Sequence, residues 1–121
     1  MTPDELKNRT MQLGIDIIFL CEKLPAKAAG RAVENQIVRS ATSVGCNYRA
    51  ALRGRSKPDF INKIGVVLEE LDETQYWIEV AVKAKLLEKQ NVAAIWKEAE
   101  ELMKILTRTS ITAKENLKKK K

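Results

Sequence analysis

The chain has 121 residues, 45% of them hydrophobic and 31% charged, with a formal net charge of +6. That length suits one domain around one hydrophobic core, and five glycines and three prolines leave few points at which to cut the chain into short strands. There is no histidine, the commonest general acid–base and a common metal ligand, and the longest apolar runs are a few residues, far short of a membrane span.

Thr2-Pro3-Asp4-Glu5 reads as a helix start, with Thr2 as the cap, Pro3 at the first helical position and Glu5 completing a capping box. Leu6, Leu13, Ile17, Leu20 and Leu24 then recur on one helical face, and Pro25 ends the helix. A second helix is predicted to begin within residues 27–31 and to run to about Arg53. Its inward stripe is Ile37, Ala41, Val44, Tyr48 and Leu52, and Ser40, Ser43 and Gly45 beside it let a neighbouring helix come close. Gly54 breaks that pattern. Ser56-Lys57-Pro58-Asp59 is a second capping signature, opening a helix to about Ala84 with Phe60, Ile64, Leu68, Leu71, Ile78 and Val82 facing inward. After a short connection over residues 85–90, Asn91 is the expected cap of a fourth helix carrying Ile95, Ala99, Leu102, Leu106, Thr109 and Ala113 on one side. Strict two-residue alternation is absent, so the fold class predicted is all-α: an antiparallel, up-down-up-down four-helix bundle over residues 1–117, with a basic tail at residues 118–121.

The tail supplies four of the positive charges, which leaves +2 for the body, so the placement of charge matters more than its total. Cys21 and Cys46 show no CxxC spacing and read as buried, reduced thiols of a cytoplasmic protein. The first ten residues have neither the basic nor the apolar region of a signal peptide. No Gly-rich phosphate loop, nucleophile elbow or His/Cys ligand cluster is present. Glu69, Glu70, Asp72 and Glu73 fan around their helix at about 100° per residue instead of converging on a metal. No catalytic residue, cofactor or metal site is therefore expected.

Two outward faces carry the functional information. On the second helix Arg39, Arg49 and Arg53 fall nearly opposite the core stripe, followed by Arg55 and Lys57, and residues 31–57 carry a net +5. Such a ridge suits a phosphate backbone, which Arg grips in a fork geometry. A solvated face, or salt bridges to a partner's acidic residues, is the alternative. On the third helix Val66, Trp77 and Val80 project away from the core stripe, with Glu69, Glu73 and Tyr76 beside them. A helix apolar on two sides is usually buried on two sides. That face is predicted to meet a second subunit, with Trp77 as an anchor. The third helix, net −4 over residues 58–84, also complements a neighbour's basic ridge.

These same segments carry a resemblance. Gln36-Ile37-Val38-Arg39-Ser40-Ala41-Thr42-Ser43-Val44-Gly45-Cys46-Asn47-Tyr48-Arg49-Ala50-Ala51, then Arg53-Gly54-Arg55-Ser56-Lys57-Pro58-Asp59-Phe60 and Leu68-Glu69-Glu70-Leu71-Asp72-Glu73, resemble the four-helix-bundle proteins encoded in intervening sequences of large-subunit ribosomal RNA genes. That group is similar to the accessory variability determinant of diversity-generating retroelements. The likeness is strong over residues 36–78, while the outer helices agree in length and pattern. It implies a ring-shaped homopentamer with basic surfaces. The retroelement relatives bind nucleic acid and a protein partner, a reverse transcriptase. The resemblance carries RNA or DNA contact onto Arg39, Arg49, Arg53, Arg55 and Lys57. Asn47 also matches a family position, and its place near Ser40 and Ser43 predicts a hydrogen bond between helices. Where many relatives have an acidic residue this chain has Ala50 or Ala51, which makes the ridge more uniformly basic.

Overall fold

Thr2 and Ser56 act at the first and third helices as their spacing predicts. Thr2 Oγ1 accepts from the Glu5 amide at 3.1 Å and Ser56 Oγ from the Asp59 amide at 3.2 Å, each followed by proline in the first turn. A computed structural model describes residues 1–119 as four helices: α1 (Pro3–Leu20), α2 (Ala28–Leu52), α3 (Lys57–Lys83) and α4 (Lys89–Lys119). Among the described residues there is no strand. Of the tail predicted at residues 118–121, Lys118 and Lys119 close α4, and the remaining two lysines lie outside the described residues.

Two boundaries differ from expectation, and a third falls where predicted but is made by an unexpected residue. The first helix gives up its α-helical bonding at Leu20 and tightens into a 3-10 turn, Cys21–Lys23, leaving Leu24 extended ahead of Pro25. The α3–α4 connection contains no glycine, yet Lys85 takes the left-handed conformation (φ 61°). The Leu86 amide bonds the Ala81 carbonyl at 2.9 Å and the Lys85 amide the Val82 carbonyl at 3.0 Å, the two bonds of a Schellman end. Asn91 lies inside α4 rather than at its cap, and its side chain reaches back to accept from the Glu88 amide at 2.9 Å. It takes the part that Glu or Gln plays in a capping box.

Left-handed backbone costs an L-residue about 1–2 kcal/mol, part of which a glycine regains as unfolded-chain entropy. Lys85→Gly is therefore expected to raise the stability by about 0.5–1 kcal/mol, read from a urea midpoint. A lowered midpoint would show that the lysine side chain contributes more than its backbone strain.

The core divides into two clusters, each drawing on all four helices or their connections. One joins Leu6 and Leu13 of α1 to Val44, Tyr48 and Ala51 of α2, Ile64, Val67 and Leu71 of α3, and Ala99, Leu102 and Leu106 of α4. The other joins Ile17 and Leu20 to Val33, Ile37 and Ala41, Ile78 and Ala81, and Leu87 and Val92. Each helix touches its successor, and α4 closes against α1. The buried face of α3 is turned from the predicted one: Val67, Thr74, Gln75 and Ala81 join Ile64, Leu71 and Ile78, while Phe60, Leu68 and Val82 are half-buried at its edge. Large apolar residues marked the wrong flank because α2 comes close on the side of the small and polar ones. There Thr74 Oγ1 lies 3.0 Å from Ser40 Oγ and 2.8 Å from the Glu70 carbonyl, while Ser40 Oγ also donates to the Ile37 carbonyl at 3.2 Å. Gln75 Nε2 donates to Glu100 Oε1 at 2.8 Å, and among the described residues no buried side-chain polar atom lacks a partner.

Gly45 sets the approach of α1 to α2. A Cβ there would lie 3.1–3.2 Å from backbone atoms of Met11 and Thr10, tighter than side chains normally tolerate. Cys21 is buried, and its thiol is pushed up to about 11 by burial, with the Glu34 carboxylate adding to the effect. Cys46 departs from expectation: it is free and exposed, on the outer side of α2 beside that close approach.

Candidate nucleic-acid and assembly surfaces

The five predicted basic residues are all exposed, but they do not form one ridge. Arg39 leans onto α3, where its guanidinium bonds the carboxylates of Glu70, at 3.2 Å, and Glu73. The Glu73 hydrogen bond, followed by the field of Glu70, holds Arg39 above its ordinary pKa, so the guanidinium stays charged and is matched by two carboxylates of its own chain. Stepping 100° per residue from Ile37 puts Arg39 on the α3 side of α2's outer surface and Arg49 on the α1 side. Arg49 and Arg53 line a groove between α1 and α2. Arg53 is the C-cap residue of α2, and Arg55 lies in the turn that follows. Among the described residues the guanidinium groups of Arg49, Arg53 and Arg55 have no acidic partner, although the Arg55 backbone amide donates to Asp59 Oδ2 at 3.4 Å. Lys57, at the start of α3, stands across a shallow pocket from Ala113 and Asn116 of α4, with Arg55 on the same wall.

The predicted assembly residues divide likewise. Val66, Glu69 and Tyr76 are exposed, whereas Glu73, Trp77 and Val80 are half-buried. Trp77 does not project opposite the core. It packs on the flank of the cluster containing Val33, Ile37 and Ile78, with the Tyr76 ring edge-on to it at a centroid distance of 5.2 Å. Glu73 is engaged by Arg39. Asn47 bonds within its own helix, donating to the Ser43 carbonyl and hydroxyl, both at 2.9 Å; the hydrogen bond between helices is made by Ser40 and Thr74 instead.

Two features had no place in the sequence reading. Arg9 of α1 donates from two nitrogens to Glu98 of α4, at 2.9 and 2.6 Å, and pairs with Glu101 at 3.0 Å. This bidentate clamp raises the guanidinium pKa above its ordinary value, chiefly through Glu98, and removes a second arginine from the free surface. The pair is 89 residues apart in sequence, so no local spacing signals it. The second is the outer face of α1, where Met11, Ile15 and Ile18 are exposed and line the same groove as Arg49 and Arg53. Their four-three spacing was legible, but the longer leucine stripe of the same helix claimed the core assignment.

Among the described residues no group of His, Cys, Asp and Glu side chains is placed to hold a metal ion, and no described helix is long and apolar enough to cross a membrane. The class defined is an all-helical, four-helix protein whose distinguishing chemistry lies on its outer faces. The chain belongs to the 23S rRNA-intervening sequence protein family, whose sequence model matches residues 5–108. The match reaches α1 and much of α4, well beyond the segment that carries the resemblance. The fold is similar to the crystal structure of a protein of unknown function from the S23 ribosomal protein family of Bacteroides thetaiotaomicron. The two are 30% identical with a TM-score of 0.81, over 87% of this chain and 97% of that one. No curated protein matches the chain.

Proposed function

We propose that the protein is a non-enzymatic, cytoplasmic, self-assembling bundle that holds RNA or DNA by its phosphate backbone, as an accessory factor of a ribonucleoprotein. The observation that carries this reading is the set of three exposed arginines, Arg49, Arg53 and Arg55, whose guanidinium groups have no acidic partner within the described chain while those of Arg9 and Arg39 are each paired. Membership of a family named for intervening sequences in 23S rRNA supports an RNA setting. The antiparallel up-down-up-down arrangement is supported by the two clusters, since the early parts of α1 and α2 share a cluster with the late parts of α2 and α3 respectively, and late α3 clusters with the start of α4. A ring-shaped homopentamer follows from the resemblance, and the α3 residues Val66, Glu69, Tyr76 and Val80, with Trp77 and Glu73 on its flank, are its proposed contact. No resident cofactor or metal enters this reading.

Titrating single-stranded RNA and duplex DNA with the full chain tests it. Affinity is expected to fall steeply between about 50 and 200 mM salt and to depend little on sequence. Undetectable binding at the low end of that range, or binding indifferent to salt, would remove the phosphate-tracking role. One observation favours a second reading, a scaffold that binds only protein: Arg49 and Arg53 border an apolar groove rather than an all-polar surface. Assembly without polyanion affinity is the result expected of that scaffold.

A further inference from the structure

We propose that the groove between α1 and α2 receives the outer face of α3 from a second copy of the chain. Subunits then join through two unlike surfaces. The proposal rests on the self-association in the reading above and names what the α3 face meets, which that reading leaves open.

The groove has the composition of a covered surface. Met11, Ile15 and Ile18 stand 48%, 37% and 46% exposed along one line of α1, over a floor made by Gly14 and Gly45. Single exposed apolar residues are ordinary, but three in register along one groove mark a contact site. Arg49 and Arg53 at its border decide the occupant. Two grooves facing one another would gather four arginines that have no acidic partner, so groove-to-groove pairing is opposed by charge. The occupant has to be amphipathic and acidic.

The outer face of α3 meets both conditions. Val66, Glu69, Glu73, Tyr76 and Val80 follow one another at three, four, three and four residues, the spacing of a helix seam. Val66 and Tyr76 are 38% and 57% exposed. Glu73 is held by Arg39, which leaves Glu69, exposed and without a partner among the described residues, to meet Arg49. Arg53, at the end of α2, and Arg55 stay available to phosphate. Each copy offers one groove and one acidic face, so the contact repeats head to tail, and a closing rotation makes a ring.

The test is a mixing experiment on the full chain, with mass read by sedimentation and folding checked by far-UV circular dichroism. Ile15→Asp spoils the groove and keeps the acidic face; Tyr76→Asp does the reverse. Each variant alone is expected to be a folded monomer, with Cys46, on the groove wall, alkylated freely although protected in the wild-type assembly. Mixed one to one, the two variants are expected to form a heterodimer and nothing larger. Arg49→Glu and Glu69→Arg are each expected to weaken assembly about tenfold or more, and the double variant to recover it. A folded Ile15→Asp chain of native mass, or a mixture that stays monomeric, overturns the pairing. If Tyr76→Asp dissociates while Ile15→Asp does not, self-association through α3 stands and only the groove assignment falls. A monomeric wild type with freely alkylated Cys46 overturns both, and leaves the groove to a different protein.

Discussion

Neutralising Arg53 and Arg55 together, as Arg53→Gln/Arg55→Gln, is expected to flatten the salt dependence of duplex DNA binding by about 1.8 units of log K per log salt, and of single-stranded RNA binding by about 1.4. These values correspond to one phosphate contact from each arginine. Each such contact releases a fraction of a condensed counterion, and the slope counts the contacts. Carried to about 0.15 M salt, the same slope corresponds to an affinity loss of about 30-fold on duplex. The informative control is Arg39→Gln. A continuous ridge along α2 would make its loss equivalent to the loss of Arg53 or Arg55. In the fold Arg39 is already matched by Glu70 and Glu73, so its removal is expected to leave the slope within error of the wild type. Neutralising Arg39 should instead free two carboxylates. An Arg39→Gln slope reduced as much as that of a single turn variant would mean that Arg39 leaves α3 to bind phosphate.

The second large effect is expected at Gly30. This residue sits in the first turn of α2, buried against the chain that arrives from α1, and a Cβ built on it would lie 2.0 Å from the Pro25 carbonyl oxygen. The obstacle is backbone, so no side-chain rotation relieves it. The Pro25 carbonyl is fixed in turn, because it accepts from the Lys27 amide at 2.8 Å in the tight link between helices. Gly30→Ala is therefore expected to destabilise the protein by about 2–3 kcal/mol, with a fall in melting temperature of about 10 °C. Gly65 is the matched control, since a Cβ there meets nothing within 4 Å. Gly65→Ala lies inside α3 and is expected to stabilise by about 0.5–1 kcal/mol. Equal melting temperatures for the two variants would show that the α1–α2 link gives way at little cost.

Helix existence was the most legible part of the sequence, because capping and periodicity are local. Thr2, Pro3, Ser56 and Pro58 announce their helix starts by residue type alone. Lys85 did not announce its turn, because the left-handed position usually marked by glycine is occupied by a lysine. The inward face of α2 was read from its spacing, with Ala51 rather than Leu52 completing the buried stripe. The face of α3 was displaced because Thr74 and Ala81 are buried for their smallness and for the Ser40 hydroxyl, properties that a count of large apolar residues passes over. The basic segment was found, but its division was not. Whether Arg39 is free depends on where Glu70 and Glu73 stand across the α2–α3 contact, and that is a tertiary fact. The apolar face of α1 was present as a four-three pattern, and only the packed fold shows that Met11, Ile15 and Ile18 lie outside the core.

The order in which the helices touch has a consequence for how such a chain is made. Among the described residues each helix packs mainly on the one before it, and the closure of α4 on α1 joins the two ends of the chain. A chain emerging from the ribosome can therefore build its layers in the order of synthesis, with its main partners one connection away until the last step. Contacts of short sequence separation favour rapid folding. The Arg9 clamp on Glu98 and Glu101 belongs to that last step, acting as a latch that closes when the final helix has been translated.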